Sequence, residues 1–518
     1  MTDPRLHQHR SLYVGAAILV AALALRVALI QTARFTGDEA RDYAIGMGIA
    51  SGTQAPLLGP EISSGKARLP GPLQFWLAAF PQLFTRAPEG GNLFFELMSA
   101  ASVWLFWLTL RKPFGDAAAA FAAGLMALSP WSALFGDRVW NPNAFLFFEG
   151  VALLAAVKLR ENPRSAWAAV LLVACLALPQ LHSSAPVVWL ALMPLVVGPL
   201  RQARRRTLAV GVVIGALLYI PLLIHEAKTG FGNTRAFFTE ALAIGGRKNS
   251  AVDSHSFLFT PAYVLRLLTL DVTYHELTGY WGGLDEAAAW RALWFGSEAR
   301  PFHPLRLATL LASIALLVAS VAIAGREIWR RRSGTSWRAA LGPFTMAALI
   351  AIAADSLFLG ITRKRVFAHY VTPTLPFIFI LYAAAARPAL ANRHLRPWLL
   401  VLAIMFGVGG VEATLSISRR IDGRNGLAVH RAAAQRLLDD CEEAGRAHPA
   451  CTGQLEFGYF AVQYSHMVFG QHAVAPPIRW GWGTGFAYRL QKRETPAPAA
   501  GAAYPVTNVG AVSIYRVR

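Results

Sequence analysis

Residues 11–44 read SLYVGAAILVAALALRVALIQTARFTGDEARDYA. From Leu12 to Ile30 every residue is apolar or small except Arg26, a run long enough to cross the hydrocarbon core of a bilayer as a helix. The run then meets three carboxylates within five residues, Asp38, Glu39 and Asp42, which lipid excludes as charges. A span delivered directly into an acidic segment predicts a membrane protein whose chemistry lies where its spans end. The rest of the chain repeats the pattern, with further apolar runs at 93–110, 117–135, 143–160, 166–181, 184–200, 207–224, 304–324, 340–361, 371–387 and 397–417. Together with 11–31 these are eleven candidate crossings. Of 518 residues 55% are hydrophobic and 15% charged, and the mean hydropathy is +0.40, a balance too apolar for a soluble globular chain. The expected fold class is an all-α polytopic membrane protein of about eleven transmembrane helices. The first run lacks a small-residue cleavage site before the acidic segment, so it reads as a retained anchor.

Charge sets the orientation. The formal net charge is +20, which in a soluble chain would suggest nucleic acid. The connections that share a side with the N-terminus hold Arg5, Arg10, Arg111, Lys112, Lys158, Arg160, Arg164, Arg201, Arg204–Arg206, Arg326, Arg330–Arg332, Arg338, Arg387, Arg393 and Arg396. Only Asp3, Asp116, Glu161 and Glu327 oppose them there. The positive-inside bias makes that side the cytoplasm of a plasma (inner) membrane, and the excess charge a topology signal with no nucleic-acid partner. Residues 70–84, PGPLQFWLAAFPQLF, are short, contain Pro81 and precede no basic cluster; they predict a helix lying in the interface. Were they to cross, Arg201–Arg206 would face outward.

The chain then divides into a membrane domain, 1–417, with extracytoplasmic loops 32–92 and 225–303, and an extracytoplasmic C-terminal domain, 418–518. In the latter, LAVHRAAAQRLLDDCEEA has helical spacing and VGAVSIYRV alternates like a strand, so a small α/β domain is expected, with the Pro/Ala-rich ETPAPAAGAAYP as a loop between. Cys441 and Cys451 lie in that oxidising space, as a disulfide or as two thiols. No internal repeat of the inverted-transporter kind is evident.

The outward segments carry the chemistry. Thr36 and Glu39 fit a capping box opening a helix over about 37–50. Asp42 beside Arg41 reads as a solvated or salt-bridged helix charge. Asp38 is left without a structural job, in the first helical turn where the dipole favours a carboxylate, the form a base or cation ligand needs. GDRVWNPN, 136–143, adds Asp137, Arg138 and an interfacial Trp140; by itself it reads as a plain turn on Asn141 and Pro142, and it gains a functional reading beside Asp38. SSGKARLPGPL, 63–73, sets Lys66 and Arg68 before the interfacial helix, where headgroup attraction or a lipid-linked phosphate would explain them. TRKRVFAHYVTPTLPF, 362–377, places Arg363, Lys364 and Arg365 outward against the charge bias, followed by His369 and Tyr370. PQLHSSAP offers Gln180 and His182, and LIHEAKTGFGNTR offers His225, Glu226, Lys228 and Arg235 as cavity-lining groups. Glu149 and Asp355 fall within spans as relay or locally paired charges. There is no His-Glu-x-x-His, Walker loop, glycine-rich nucleotide fingerprint or Gly-x-Ser-x-Gly elbow, so nucleotide-driven transport and serine hydrolysis lose support.

Taken as a set, GDEARDYA, KARLPGPLQFWL, GDRVWNPN, QLHSS, HEAKTGFGNTR and HYVTPTLP resemble the C-type (GT-C) membrane glycosyltransferases. Within them the set is similar to family 39, the bacterial relatives of protein O-mannosyltransferases and of the lipid A aminoarabinose transferase. The resemblance covers about residues 11–390 and none of the tail. It implies a hexosyl or pentosyl transferase whose donor is a polyprenyl-phosphate-linked sugar and whose acceptor is a lipid, protein or glycan, among membrane lipids. It implies Asp38 as the acceptor's base, Asp137 as the second acid and Lys66 near the donor phosphate. This chain departs from the family's Pro-Pro-Leu with Pro70-Gly71-Pro72-Leu73, and Arg68 stands where many relatives have no cation. Substrate-binding candidates are Glu39, Lys66, Arg68, Arg138, His182, Glu226, Lys364, His369 and Tyr370. An inverting single displacement needs one base and positive charge at the departing phosphate, with no covalent nucleophile. Two acids could also hold a divalent cation, but Lys66 and its neighbours could do the electrostatic work without it; the residues leave both open. Rival readings are a transporter or flippase of lipid-linked or anionic solutes, with sites through the bilayer depth, and a non-enzymatic assembly subunit.

Overall fold

A computed structural model of the chain describes residues 4–33, 37–62, 67–85, 87–134, 136, 138–241, 304–330, 336–362, 368–425, a few isolated positions, and strand segments between 478 and 517. Every apolar run read as a span is helical. In chain order the helices are α1 (Pro4–Val27), α2 (Gly37–Ala50), α3 (Leu73–Gln82), α4 (Pro88–Phe114), α5 (Asp116–Leu128), α6 (Pro130–Leu134), α7 (Asn141–Glu161), α8 (Trp167–Leu181) and α9 (Ala185–Gln202). They continue as α10 (Arg205–Leu217), α11 (Ile220–Thr229), α12 (Gly232–Ala241), α13 (Pro304–Arg330), α14 (Ser336–Thr362), a 3-10 turn (Ala368–Thr374), α15 (Leu375–Ala391) and α16 (Arg396–Asn425). Among the described residues six helices are long and apolar enough to cross a membrane, seven if α10 and α11, bent by 54°, count as one span. Shorter apolar helices lie within α1, α5, α8 and α13. Length alone therefore qualifies fewer crossings than the eleven the hydropathy marks.

Prolines open several of these helices. Pro88, Pro142, Pro186, Pro221 and Pro376 sit in the first turn, where a missing N–H costs nothing and the fixed φ favours helix. Pro221 also breaks α10 from α11, and the Leu218 carbonyl at the bend accepts from Gln180 Nε2 at 2.9 Å.

The core centres on α15. Residues 375–386 are buried in unbroken succession, as a helix apolar on every side requires, and α15 packs against α5, α13 and α14. Alanines 118, 119, 122 and 123 of α5 are buried and let its neighbours approach closely. α4 joins α1, α5 and α7, and α7 carries the bundle on to α8 and α9. Arg26, the one charge in the first apolar run, is fully buried. It donates to Ser99 Oγ (2.8 Å), Ser132 Oγ (2.6 Å) and the carbonyls of Ala22 (3.0 Å) and Ala127 (3.2 Å), so one buried cation ties α1 to α4, α5 and α6. The 70–84 segment is the ten-residue α3, whose Phe80 and the following Leu83 and Phe84 are exposed.

In the tail, β1 (Ile478–Arg479), β2 (Ala487–Lys492), β3 (Ala503–Val509) and β4 (Val512–Val517) form an antiparallel sheet in the order β1-β2-β4-β3. The alternating stretch read as a strand is β4, and the end of the Pro/Ala-rich segment, expected as loop, enters β3. Cys441, Cys451 and most of the expected tail helix lie outside the described residues.

Candidate active site

The alternation of the helices brings the end of α1, α2, α3, the starts of α4 and α7, and the α8–α9 turn to one end of the bundle. The chain continues there with α11, α12 and the 3-10 turn. There the separate motifs meet. Glu39 in the first turn of α2 is buried, and its Oε1 accepts from Arg138 Nη1 at 3.0 Å. Arg138, also buried, lies 4.2 Å over the ring of Trp140, and its carbonyl accepts from Asn143 Nδ2 at 2.8 Å. Asn141 Nδ2 donates to the Leu181 carbonyl at 2.7 Å, fixing the start of α7 against the end of α8. From Trp140 the contacts run on through rings. His369 is 4.6 Å from Trp140, 4.5 Å from Tyr370 and 5.5 Å from His182, measured between centroids. Thus Glu39, Arg138, His182, His369 and Tyr370, drawn from four segments, form one continuous group.

His182 caps α8 and is buried, which pushes its pKa down to about 4 and keeps the ring neutral. Its Nδ1 accepts from the Ser184 N–H at 3.3 Å and pairs with Ser184 Oγ, leaving Nε2 as the proton carrier.

Beside this group the acids of α2 take distinct environments. Asp42, expected on a solvated face, is fully buried; its salt bridge with Arg41 is present at 2.7 Å, and its other oxygen accepts from Gln74 Nε2 at 2.9 Å. Burial pushes the Asp42 carboxyl up to about 7, against the pull of Arg41. Its depth follows from α3, which packs over α2 and brings Gln74 with it. Asp38 stays 53% exposed at the rim, where Arg41 Nη1 reaches it at 3.1 Å. Arg41 therefore bridges the exposed acid to the buried one, a job for Asp38 that spacing did not suggest.

A second group lies to one side. Arg68 is half-exposed and paired with Glu61 at 2.7 Å. Its backbone meets Asn233, which precedes Thr234, the residue Glu226 holds. The buried Glu226 accepts through Oε1 from Thr234 N and Oγ1, both at 2.9 Å, closing the start of α12. Gly71 has φ +137 and lies under Gln180, whose Oε1 accepts from Leu73 N at 3.3 Å. The Gly71 that departs from the family pattern is thus the residue this close approach needs.

Asp137, Lys66 and Lys364 lie outside the described residues, as does Thr36 of the expected capping box. Among the described residues no three His, Cys, Asp or Glu side chains converge as metal ligands. Sequence reasoning missed Arg41 as a bridge, Gln74 and Asn233. A glutamine inside the apolar α3 run was the one signal available.

Residues 70–225 match the family model for dolichyl-phosphate-mannose-protein mannosyltransferase. No curated protein gives a significant match. Over its whole length the chain is similar to ArnT from Cupriavidus metallidurans. The crystal structure bound to undecaprenyl phosphate superposes with a TM-score of 0.57 at 12% identity, covering 97% of each chain. The apo state gives 0.57 at 13%, with the same coverage. The chain is a multi-span membrane protein with the fold of the GT-C glycosyltransferases.

Proposed function

We propose that the chain is an integral membrane glycosyltransferase. It moves a sugar from a polyprenyl-phosphate-linked donor to an acceptor hydroxyl at the extracytoplasmic face, with inversion and with Asp38 as the base. The observation that carries this reading is the partition of the α2 acids: Glu39 is committed to Arg138, Asp42 is buried on Arg41 and Gln74, and Asp38 alone is presented at the rim. An exposed carboxylate beside a group of fixed cations and rings suits removal of an acceptor proton. As the hydroxyl oxygen attacks the anomeric carbon, its proton passes to Asp38 and the phosphate leaves with the electron pair of the broken bond. Lys66, Arg68, Arg138 and Lys364 would offset the charge it gains. Asp137 would orient the acceptor or share a cation with Asp38. The ArnT structure with undecaprenyl phosphate, and the match to a dolichyl-phosphate-mannose family, support a lipid-linked donor of this class.

The N-terminus is then cytoplasmic and residues 418–518 extracytoplasmic. The transporter reading rests on Glu149 and Asp355, buried within α7 and α14. Glu39, Arg138, His182, His369 and Tyr370 lie together instead at one end of the bundle, which supports the transferase reading. Purified protein incubated with radiolabelled polyprenyl-phosphate sugars tests the reading: sugar should leave the lipid. Lipid-linked sugar that stays intact with every acceptor class tried overturns it.

A further inference from the structure

A two-stranded ribbon of residues 59–62 and 67–69 precedes α3 and carries Arg68. Its two strands pair through Gly59 N to Leu69 O (3.0 Å), Leu69 N to Pro60 O (2.9 Å) and Ile62 N to Ala67 O (2.9 Å), with Glu61 opposite Arg68. In that register the N–H and C=O of Arg68 point away from the partner strand, along the ribbon's open edge. Both are met by one side chain from 165 residues on. Arg68 N donates to Asn233 Oδ1 at 2.8 Å, and Asn233 Nδ2 donates to Arg68 O at 3.1 Å. The carboxamide imitates the next strand of a sheet. It is buried and held from behind: Glu226 bonds the neighbouring Thr234 twice, Phe231 N bonds the Glu226 carbonyl at 3.0 Å, and Gly230 and Phe231 take left-handed backbone (φ +60 and +63) to complete the turn.

We propose that Asn233 is a positioning residue for the donor phosphate, setting the depth and angle at which the ribbon presents Arg68. This rests on the glycosyltransferase reading above, in which Arg68 offsets the phosphate charge. A carboxamide is the group suited to the task, because it supplies one donor and one acceptor at the spacing of a peptide unit. Aspartate cannot donate to the Arg68 carbonyl, and alanine meets neither group.

The test uses the full chain in nanodiscs and undecaprenyl phosphate as the probe, with equilibrium binding and thermal unfolding measured for each protein. Asn233→Ala should weaken binding about tenfold, the scale of one to two lost hydrogen bonds. Asn233→Asp, which keeps the shape and one bond but turns a carboxylate oxygen on the Arg68 carbonyl, should weaken it at least as much. In an Arg68→Ala background Asn233→Ala should change binding less than twofold, because its effect passes through Arg68. Wild-type-like binding by both Asn233 variants, or an undiminished loss in the Arg68→Ala background, overturns the role of Asn233 alone. Failure of the wild-type protein itself to bind the probe overturns the donor reading and this inference together.

Discussion

Glu39 and Arg138 are joined by a 3.0 Å ion pair between two buried side chains 99 residues apart in sequence, and that bond ties the first acidic segment to the second. Removing one member of a buried ion pair costs about 3–5 kcal/mol as a rule. Glu39→Gln and Arg138→Gln should each lower the unfolding temperature and reduce transfer. The double variant should be less destabilised than the two singles predict by addition. Thermal unfolding in detergent, read as a double-mutant cycle, checks this.

Asp42 makes stability depend on pH with a definite sign. Its carboxyl is raised from 3.8 to about 7 in the fold, so between those values the native state binds more protons than the unfolded chain. Its contribution is fully present below about pH 4 and is lost as pH rises to about 7. Unfolding temperature measured across that window should fall toward neutral pH on this account. Asp42→Asn should flatten the slope, and an unchanged slope would count against the assignment.

Gly71 should tolerate no side chain. A Cβ would run into Gln180 Oε1, and φ +137 strains any L-residue by about 1–3 kcal/mol. Gly71→Ala should therefore lower folded yield. Shortening Gln180 in the same protein should recover only part of it, since the backbone strain remains.

Glu149→Gln and Asp355→Asn distinguish transfer from transport. Asp355 accepts from Thr374 Oγ1 at 2.8 Å, below the 3-10 turn that carries His369 and Tyr370. Asparagine keeps an acceptor there. Both variants should retain most of the transfer activity; abolition of turnover by either would favour charges working through the bilayer depth.

The helices were legible because lipid demands long apolar runs: each run from 11–31 to 397–417 is helical, though 117–135 and 207–224 are each broken into two helices and 371–387 opens in a 3-10 turn. The short α3 was legible for the opposite reason: Pro81 and its length mark it off from the spans. Side-chain partners were not. Asp42 was expected as a solvated or salt-bridged charge, and the bridge to Arg41 is there, but α3 covers it, and no local pattern tells which face a neighbour will bury. The Asn233–Arg68 pairing joins segments 165 residues apart through backbone groups that have no sequence signature. The acidic motifs themselves could be found because charges beside lipid are costly and so stand out.

Asp38 divides the proposed chemistry from the scaffold around it. Its exposed side chain contributes little packing, so Asp38→Asn should fold and bind undecaprenyl phosphate as the wild-type protein does. A general base supplies about a hundred- to ten-thousand-fold in rate, and the variant should transfer at no more than a few per cent of the wild-type rate. The decisive measurement is release of labelled sugar from a polyprenyl-phosphate donor by purified Asp38→Asn beside the wild type. Turnover reduced to that residue of activity with lipid binding intact is the expected result, and transfer well above a few per cent would contradict Asp38 as the base.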